Sequence, residues 1–438
     1  MTPAPPPAPA RLGRFMSLAM VVGTMVGSGI YLLPATLAPS GRAIPFAWAL
    51  TIAGTMTLAW CLARLAAAMP GGPYVHIRAA FGDRAAFVTL WSYIVSQWTG
   101  VAAVVVAVAG ALGHVFPAAA GGAGLVIVSL AAIAALLVVN LQGARSAGGL
   151  QVAATLVKIV PLLLVALILA ARIGGGGHAE PLAPVALGPA SIIGAAALML
   201  FSLTGFEAAA TTAKVTADSQ AVVPRATMIG TGLTGALYFI ATLATLAILP
   251  SALAVNSSAP FADAIAPALG PTAGLVVALV AAVSAFGTGN ALLLISAEIS
   301  QSLAEAGDLP PAFARTNARG APAPALWLGA GIAALLVIFS ASPSFVSVYI
   351  FITLISTVAT LLLYAVAAAA ALRLKVMGGT AWIAVVGILY AVAMFVGAGL
   401  QPTLWGIVLA LIGLPIRWIS RRRWPSPAAA DAATAPRE

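Results

Sequence analysis

The stretch Gly23-Thr24-Met25-Val26-Gly27-Ser28-Gly29-Ile30 interrupts an apolar run that extends from about residue 15 to 38. Three glycines and a serine near the middle of such a run weaken a helix locally, since each Gly costs about 1 kcal/mol relative to Ala. None of them is needed to cross a bilayer. A second polar cluster, Ser202, Thr204 and Gly205, lies in Phe201-Ser202-Leu203-Thr204-Gly205-Phe206-Glu207, at the far end of the run Ser191–Leu203. An unwound helix leaves N–H groups at the start of one half and C=O groups at the end of the other. The first can hold a carboxylate and the second an ammonium, the two ends of a zwitterionic amino acid. Close packing is the competing reading, because small residues line membrane helix interfaces and Gly23 and Gly27 have the Gly-x-x-x-Gly spacing.

Around these two stretches the chain is almost wholly apolar. Of 438 residues, 62% are hydrophobic and only 7% charged, against roughly 25% charged in soluble domains. A soluble fold of this composition would expose large apolar patches. The apolar segments run to about 20 residues, too long for barrel strands, and their backbone groups are satisfied internally only as helices. The expectation is an all-α integral membrane protein, not an enzyme.

Twelve helices are expected, at about 15–38, 43–69, 86–116, 122–141, 149–172, 189–213, 226–250, 270–304, 324–341, 345–371, 380–399 and 402–419. Pro/Gly-rich breaks such as Met69-Pro70-Gly71-Gly72-Pro73 separate them. The two polar clusters occupy corresponding places in two successive groups of five spans, as in an inverted-repeat transporter. The divisions are an N-terminal tail (1–14), a first five-helix repeat (15–172), a second (189–371), two accessory helices (380–419) and a C-terminal tail (420–438). Arg11, Arg14, Arg78, Arg84, Arg145, Lys214, Arg225, Arg315, Arg319, Arg373, Lys375, Arg417 and Arg421–Arg423 fall in the connections of one side, and Arg42 and Arg172 on the other. That asymmetry places both termini in the cytoplasm. The net charge of +10 has this origin and calls for no nucleic acid. Trp91, Trp98, Trp327, Trp382, Trp405 and Trp418 are read as interface anchors.

Other chemistry is thin. The single Cys61 excludes a disulfide framework and reads as a buried hydrophobe. His76, His114 and His178 form no cluster of metal-ligand spacing. Gly174–Gly177 precedes no Lys-Ser/Thr and is no phosphate cradle. No cofactor is called for. Asp218, Glu305 and Asp308 are loop residues by position, for which solvation is a sufficient account. Three internal charges remain, Lys158, Glu207 and Glu298. A charge inside a membrane segment is expensive and marks an ion, proton or substrate path. Lys158 can release a proton while its helix stays packed, or it snorkels toward an interface roughly 13 Å away at 1.5 Å per residue. Glu298 is either pore-lining or a partly solvated charge near a helix end. Glu207 either titrates or holds the first helix against the sixth.

The stretch from Gly23 to Pro34 resembles the first helix of the amino acid–polyamine–organocation superfamily. Pro70-Gly71-Gly72-Pro73-Tyr74 is similar to that family's motif after the second helix. Phe201–Glu207 with Pro224-Arg225-Ala226, and Gly307-Asp308-Leu309-Pro310-Pro311-Ala312-Phe313-Ala314, add two more matches. Together they run from about residue 15 to 330, and the last four spans agree only in number and length. The resemblance is nearest to bacterial amino acid permeases and arginine/agmatine-type exchangers, and it implies a five-plus-five fold with discontinuous helices 1 and 6. By residue, it implies that Gly27, Ser28 and Gly29 bind the substrate carboxylate. The carbonyls of Phe201, Leu203 and Thr204 would accept from its amino group. Phe201 would be the aromatic lid, Glu207 the sixth-helix glutamate, and Lys158 the lysine of proton-coupled members. Thr24 stands where the exchanger has Asn, and the eighth helix is aliphatic around Leu293 where the exchanger has Trp.

The function expected on this reading is secondary active transport by alternating access in a bacterial cytoplasmic membrane. The substrate is an amino acid and the coupling ion a proton, carried through Lys158, Glu207 and Glu298. Neutral amino acids are favoured, because the pocket lacks an evident acidic partner unless Glu207 faces it. The alternative is an amino acid/polyamine exchanger. The oligomeric state is left as monomer or homodimer.

Overall fold

The computed structural model describes residues 13–27, 29–69, 71–119, 122–143, 147–207, 216, 218–339 and 345–424. Among these the chain is all-α. Nine helical stretches are long and apolar enough to cross a bilayer, and Arg14–Met25, Pro189–Ser202 and Ala323–Phe339 are shorter apolar helices. A helix lies within each of the twelve expected stretches.

The first expected span is two helices, α1 (Arg14–Met25) and α2 (Gly29–Leu37). After it come α3 (Ile44–Ala68), α4 (Gly72–Phe81), α5 (Asp83–Val115), α6 (Gly122–Leu141), α7 (Ala147–Gly174) and α8 (Pro189–Ser202). The second half of the chain forms α9 (Ser219–Ile248), α10 (Pro260–Leu269), α11 (Pro271–Glu305), α12 (Ala323–Phe339), α13 (Phe345–Arg373), α14 (Ala381–Gly397) and α15 (Leu400–Arg423). Two helices of 10 residues each, α4 and α10, were not expected. Both α4 and α10 open with proline inside their first turn, where proline's missing N–H costs nothing. A break reading based on Pro and Gly alone therefore hid them.

Helix α5 is the centre of the bundle. Its most apolar stretch is entirely enclosed by protein, and it packs chiefly against α11 and α13. It is apolar nearly all round, as a helix without a solvent or lipid face should be. Leu167, Val283, Leu335, Val396 and Leu411 point outward from the surrounding helices, the arrangement a hydrocarbon solvent rewards. Trp327, Trp382, Trp405 and Trp418 are exposed as expected of interface anchors, but Trp91 and Trp98 are buried on α5 and meet edge to face at 5.6 Å. Those two are core residues. Cys61 is buried and free, as its apolar surroundings indicated.

Asp308 departs most sharply from its reading as a solvated loop residue. It is 0% exposed. Its Oδ1 accepts from Arg417 Nε at 2.7 Å and Arg421 Nε at 2.8 Å, and its Oδ2 from the Tyr74 hydroxyl at 3.3 Å. Burial raises the pKa of the Tyr74 phenol, and the charge of Asp308 raises it further. One carboxylate thus ties the end of α11, the short α4 and the last helix together. The Arg417 side chain is 6% exposed, so Asp308→Ala leaves its guanidinium buried without a counter-charge. Loss of about 3 kcal/mol is expected, read as a lowered melting temperature of the purified protein in detergent. An unchanged melting temperature would show that solvent replaces the carboxylate.

Candidate functional site

The first helix stops because its glycines stop it. Helix α1 ends at Met25, and Val26 turns to extended backbone (φ −72°, ψ 90°) while its N–H still reaches Val22 O. The freed Met25 carbonyl accepts a hydrogen bond from the Tyr238 hydroxyl at 2.8 Å. Helix α2 begins at Gly29, so its first N–H groups lack intrahelical partners. Ser28 lies outside the described residues.

The sixth expected span stops in a similar way. Helix α8 ends at Ser202, and Leu203–Glu207 form turns. Leu203 and Thr204 N–H groups tighten the end by bonding Leu200 O and Phe201 O at 3.0 and 3.3 Å. Gly205 adopts φ +108°, which disfavours any residue with a Cβ. Residues 208–215 lie outside the described residues.

The two breaks touch. A Cβ on Gly29 would sit 2.6 Å from Ser202 Oγ, and one on Gly205 would sit 3.0 Å from the Thr24 carbonyl. A Cβ on Gly27 would lie 2.9 Å from Thr288 Oγ1 on α11. Across the gap, Thr24 Oγ1 lies 3.0 Å from Gly205 O, and it also reaches Met20 O and Val21 O within its own helix. Close packing and an opened backbone were offered as competing readings of these glycines, and both descriptions hold. The small residues let the backbones approach at the same place where the helices come undone.

A cavity of about 100 Å³ lies at this junction, several times what one buried water needs. Gly23, Thr24, Gly27 and Gly29 line it from the first span. Phe201, Ser202, Thr204, Gly205 and Glu207 line it from the sixth. Thr288, Leu292 and Ile295 come from α11, and Ser356 and Thr360 from α13. Of the residues singled out in the sequence, the cavity therefore gathers Thr24, Gly27, Gly29, Lys158, Phe201, Thr204 and Glu207. Leu203 is buried away from it. Glu298 is exposed on α11, outside its lining.

Glu207 is 8% exposed and fully engaged. Its Oε1 accepts from the Tyr93 hydroxyl at 2.8 Å. Its Oε2 accepts from Tyr364 at 3.0 Å and from the Gly205 N–H at 3.0 Å. Tyr93 belongs to α5 and Tyr364 to α13, so the carboxylate pins the turn after α8 to two long helices. Phe206 adds a ring contact to Tyr364 at 4.7 Å. Lys158 is 5% exposed and enters the cavity from α7. Its ammonium lies 3.8 Å from where a Cβ would stand on Gly287 of α11, and its carbonyl accepts from Tyr31 of α2 at 2.6 Å. The first, fifth and eighth expected spans meet at this residue.

Tyr93, Ser96, Gln97, Thr288, Ser356, Thr360 and Tyr364 were missed in the sequence. The signal was available for some of them. Tyr93, Ser96, Gln97 and Gly100 recur at i, i+3, i+4 and i+7 in an otherwise apolar helix, and Ser356, Thr360 and Tyr364 at i, i+4 and i+8. Each set is one polar stripe. The Ser202 hydroxyl is buried and has no hydrogen-bond partner among the described residues.

Comparison with known proteins corrects one expectation. Three relatives align with most of the chain or nearly three quarters of it. A putative arginine/ornithine antiporter of Bacillus subtilis is 30% identical over 92% of this chain and 95% of its own length. A cadaverine/lysine antiporter of Escherichia coli is 28% identical over 73% and 72%. The putrescine transporter PotE of Haemophilus influenzae is 25% identical over 92% and 95%. Proton-coupled uptake of neutral amino acids is not what these relatives are named for, and that reading is overturned. Its physical premise also fails: the pocket was thought to lack a carboxylate unless Glu207 faced it, and Glu207 lines the cavity. The amino acid permease model matches residues 12–414. With an opened first span and the end of α8 enclosing a polar cavity, and a family match along nearly its whole length, the chain belongs to the amino acid permease family of the amino acid–polyamine–organocation superfamily, a group of multi-pass membrane transporters.

Proposed function

We propose that this protein is an exchanger that swaps a cationic amino acid for another, or for the corresponding diamine, by alternating access. The observation that carries the reading is a cavity with a carboxylate, Glu207, between two opened helices, in a chain 30% identical to a protein named as an arginine/ornithine antiporter. The N–H groups of Gly27, Ser28 and Gly29 receive the substrate carboxylate, with Thr24 beside them. Carbonyls of Phe201, Leu203 and Thr204 receive the α-ammonium, the Ser202 hydroxyl supplies one more polar contact, and Phe201 closes over the ligand. A diamine has no carboxylate and forgoes the first of these contacts, so the two kinds of substrate differ in how tightly they hold the first helix.

The scaffold that fits this reading has twelve crossings, arranged as two inverted five-helix repeats (15–172 and 189–371) with two accessory helices (380–419). Both termini are cytoplasmic by the distribution of arginines. Lys158 sits where the first, fifth and eighth spans meet, so a change in its protonation alters how firmly these spans hold together. The bundle then rocks between inward- and outward-open arrangements around a fixed site.

Exchange is tested with purified protein in liposomes. Radiolabelled arginine is expected to enter vesicles loaded with ornithine or cadaverine and to be nearly excluded from empty ones. Equal uptake into both would replace exchange with uniport or symport.

Gly29→Ala is expected to abolish ornithine binding while the protein remains monodisperse, since its Cβ meets Ser202 at the opened junction. Normal ornithine affinity in this variant would move the carboxylate site elsewhere.

Glu207→Gln keeps a carbonyl acceptor for the tyrosines but cannot ionise. Exchange that persists in this variant with its pH dependence gone assigns Glu207 to titration. An active variant with unaltered pH dependence assigns it to holding the helices. Lys158→Ala, assayed in the same vesicles, is expected to remove the remaining response to an imposed pH gradient.

A further inference from the structure

Resting on the exchange reading, we infer that Glu298 is the residue that selects cationic substrates at the cytoplasmic mouth of the pathway. Gly287, Ala291 and Ile295 of α11 line the cavity. Continuing their helical spacing of three and four residues leads to Glu298 and then Ser302. Gly287, Ala291, Glu298 and Ser302 are all exposed, so one uncovered face runs from the cavity to the end of the helix. The same helix also carries lipid-type residues, Leu275, Leu279 and Val283, but these lie in its other half. A carboxylate facing hydrocarbon is expensive, whereas one on a water-filled approach is not.

The pocket needs such a group. Its own carboxylate, Glu207, is already bound by two tyrosines and a backbone N–H. The other charged group in the lining, Lys158, repels a cation. A substrate with two ammonium groups therefore finds a single carboxylate, shared with three donors, and one like charge. Glu298 lies roughly 10 Å beyond Ala291 at 1.5 Å per residue. Helical side chains lean toward the N-terminus, here toward the cavity. What remains is comparable with an extended five-carbon diamine. The substrate's backbone end then rests at the broken helices while its terminal ammonium points down the face of α11 to Glu298. The next carboxylate along, Glu305, is engaged by Gln301 at 2.9 Å, which leaves Glu298 as the carboxylate acceptor on this face of α11 among the described residues.

The test uses ornithine, cadaverine and norvaline, the last being ornithine without its terminal amine. Exchange of labelled ornithine and cadaverine is measured in inside-out and right-side-out vesicles, with norvaline as competitor. Glu298→Gln is expected to raise KM for ornithine and cadaverine at the cytoplasmic face by about fivefold. The norvaline inhibition constant and the opposite-face KM should stay unchanged, and Glu298→Asp should recover most of the loss. An unshifted ornithine KM at the cytoplasmic face overturns the inference, as does an equal shift for norvaline, which would mark Glu298 as structural. The exchange reading fails separately, on wild type alone, if neither ornithine nor cadaverine is carried while norvaline is.

Discussion

A backbone opened inside hydrocarbon must find partners for every N–H and C=O it frees, because no lipid atom can supply them. This chain opens its first span between Met25 and Gly29 and sets the end of α8 beside the opening. Thr24 of the first reaches the Gly205 carbonyl of the second, and Tyr238 covers the carbonyl at Met25. Glu207 takes the Gly205 N–H. The remaining polar groups at the junction line the cavity, where a ligand can meet them. The site is thus the residue of an unfinished hydrogen-bond account, and it exists because the helices are broken.

Glu207 carries the mechanical side of that arrangement. Hydrogen bonds to a charged acceptor contribute about 2 kcal/mol each, and this one carboxylate has three, from α5, α13 and its own turn. The turn after α8 would otherwise be a loose end next to the central helix. A carboxylate takes three donors at once, where an apolar anchor would take none. Lys158 makes a comparable link on the other side, where its backbone is tied to Tyr31 of α2 and its ammonium approaches α11.

Far from the cavity, Asp308 shows the same economy. One buried carboxylate joins the last helix, the end of α11 and the short α4. Elements that the sequence separates by more than a hundred residues become one corner of the bundle. The corner is held by ion pairs, whereas the first span and the end of α8 meet near the cavity through small residues and short contacts.

The sequence by itself determined the membrane-spanning all-α class, the places where the long helices run, and the stretch where the first of them fails. Composition, apolar run length and clustered glycines are local properties, and a helix in lipid is decided locally. Glycine clusters alone left packing and unwinding as rivals, and only the approach of Gly29 to Ser202 and of Gly205 to Thr24 showed that they coincide. Tertiary structure also decided which way the charges point. Asp308 read as solvated because it stands in a loop, yet two arginines of the last helix bury it. Trp91 and Trp98 read as interface anchors by position, yet α5 runs through the centre of the bundle. The neutral pocket followed from not knowing the facing of Glu207, whose partners Tyr93 and Tyr364 lie 114 and 157 residues away. A side chain's facing is set by its distant neighbours, and no local pattern of residues records them.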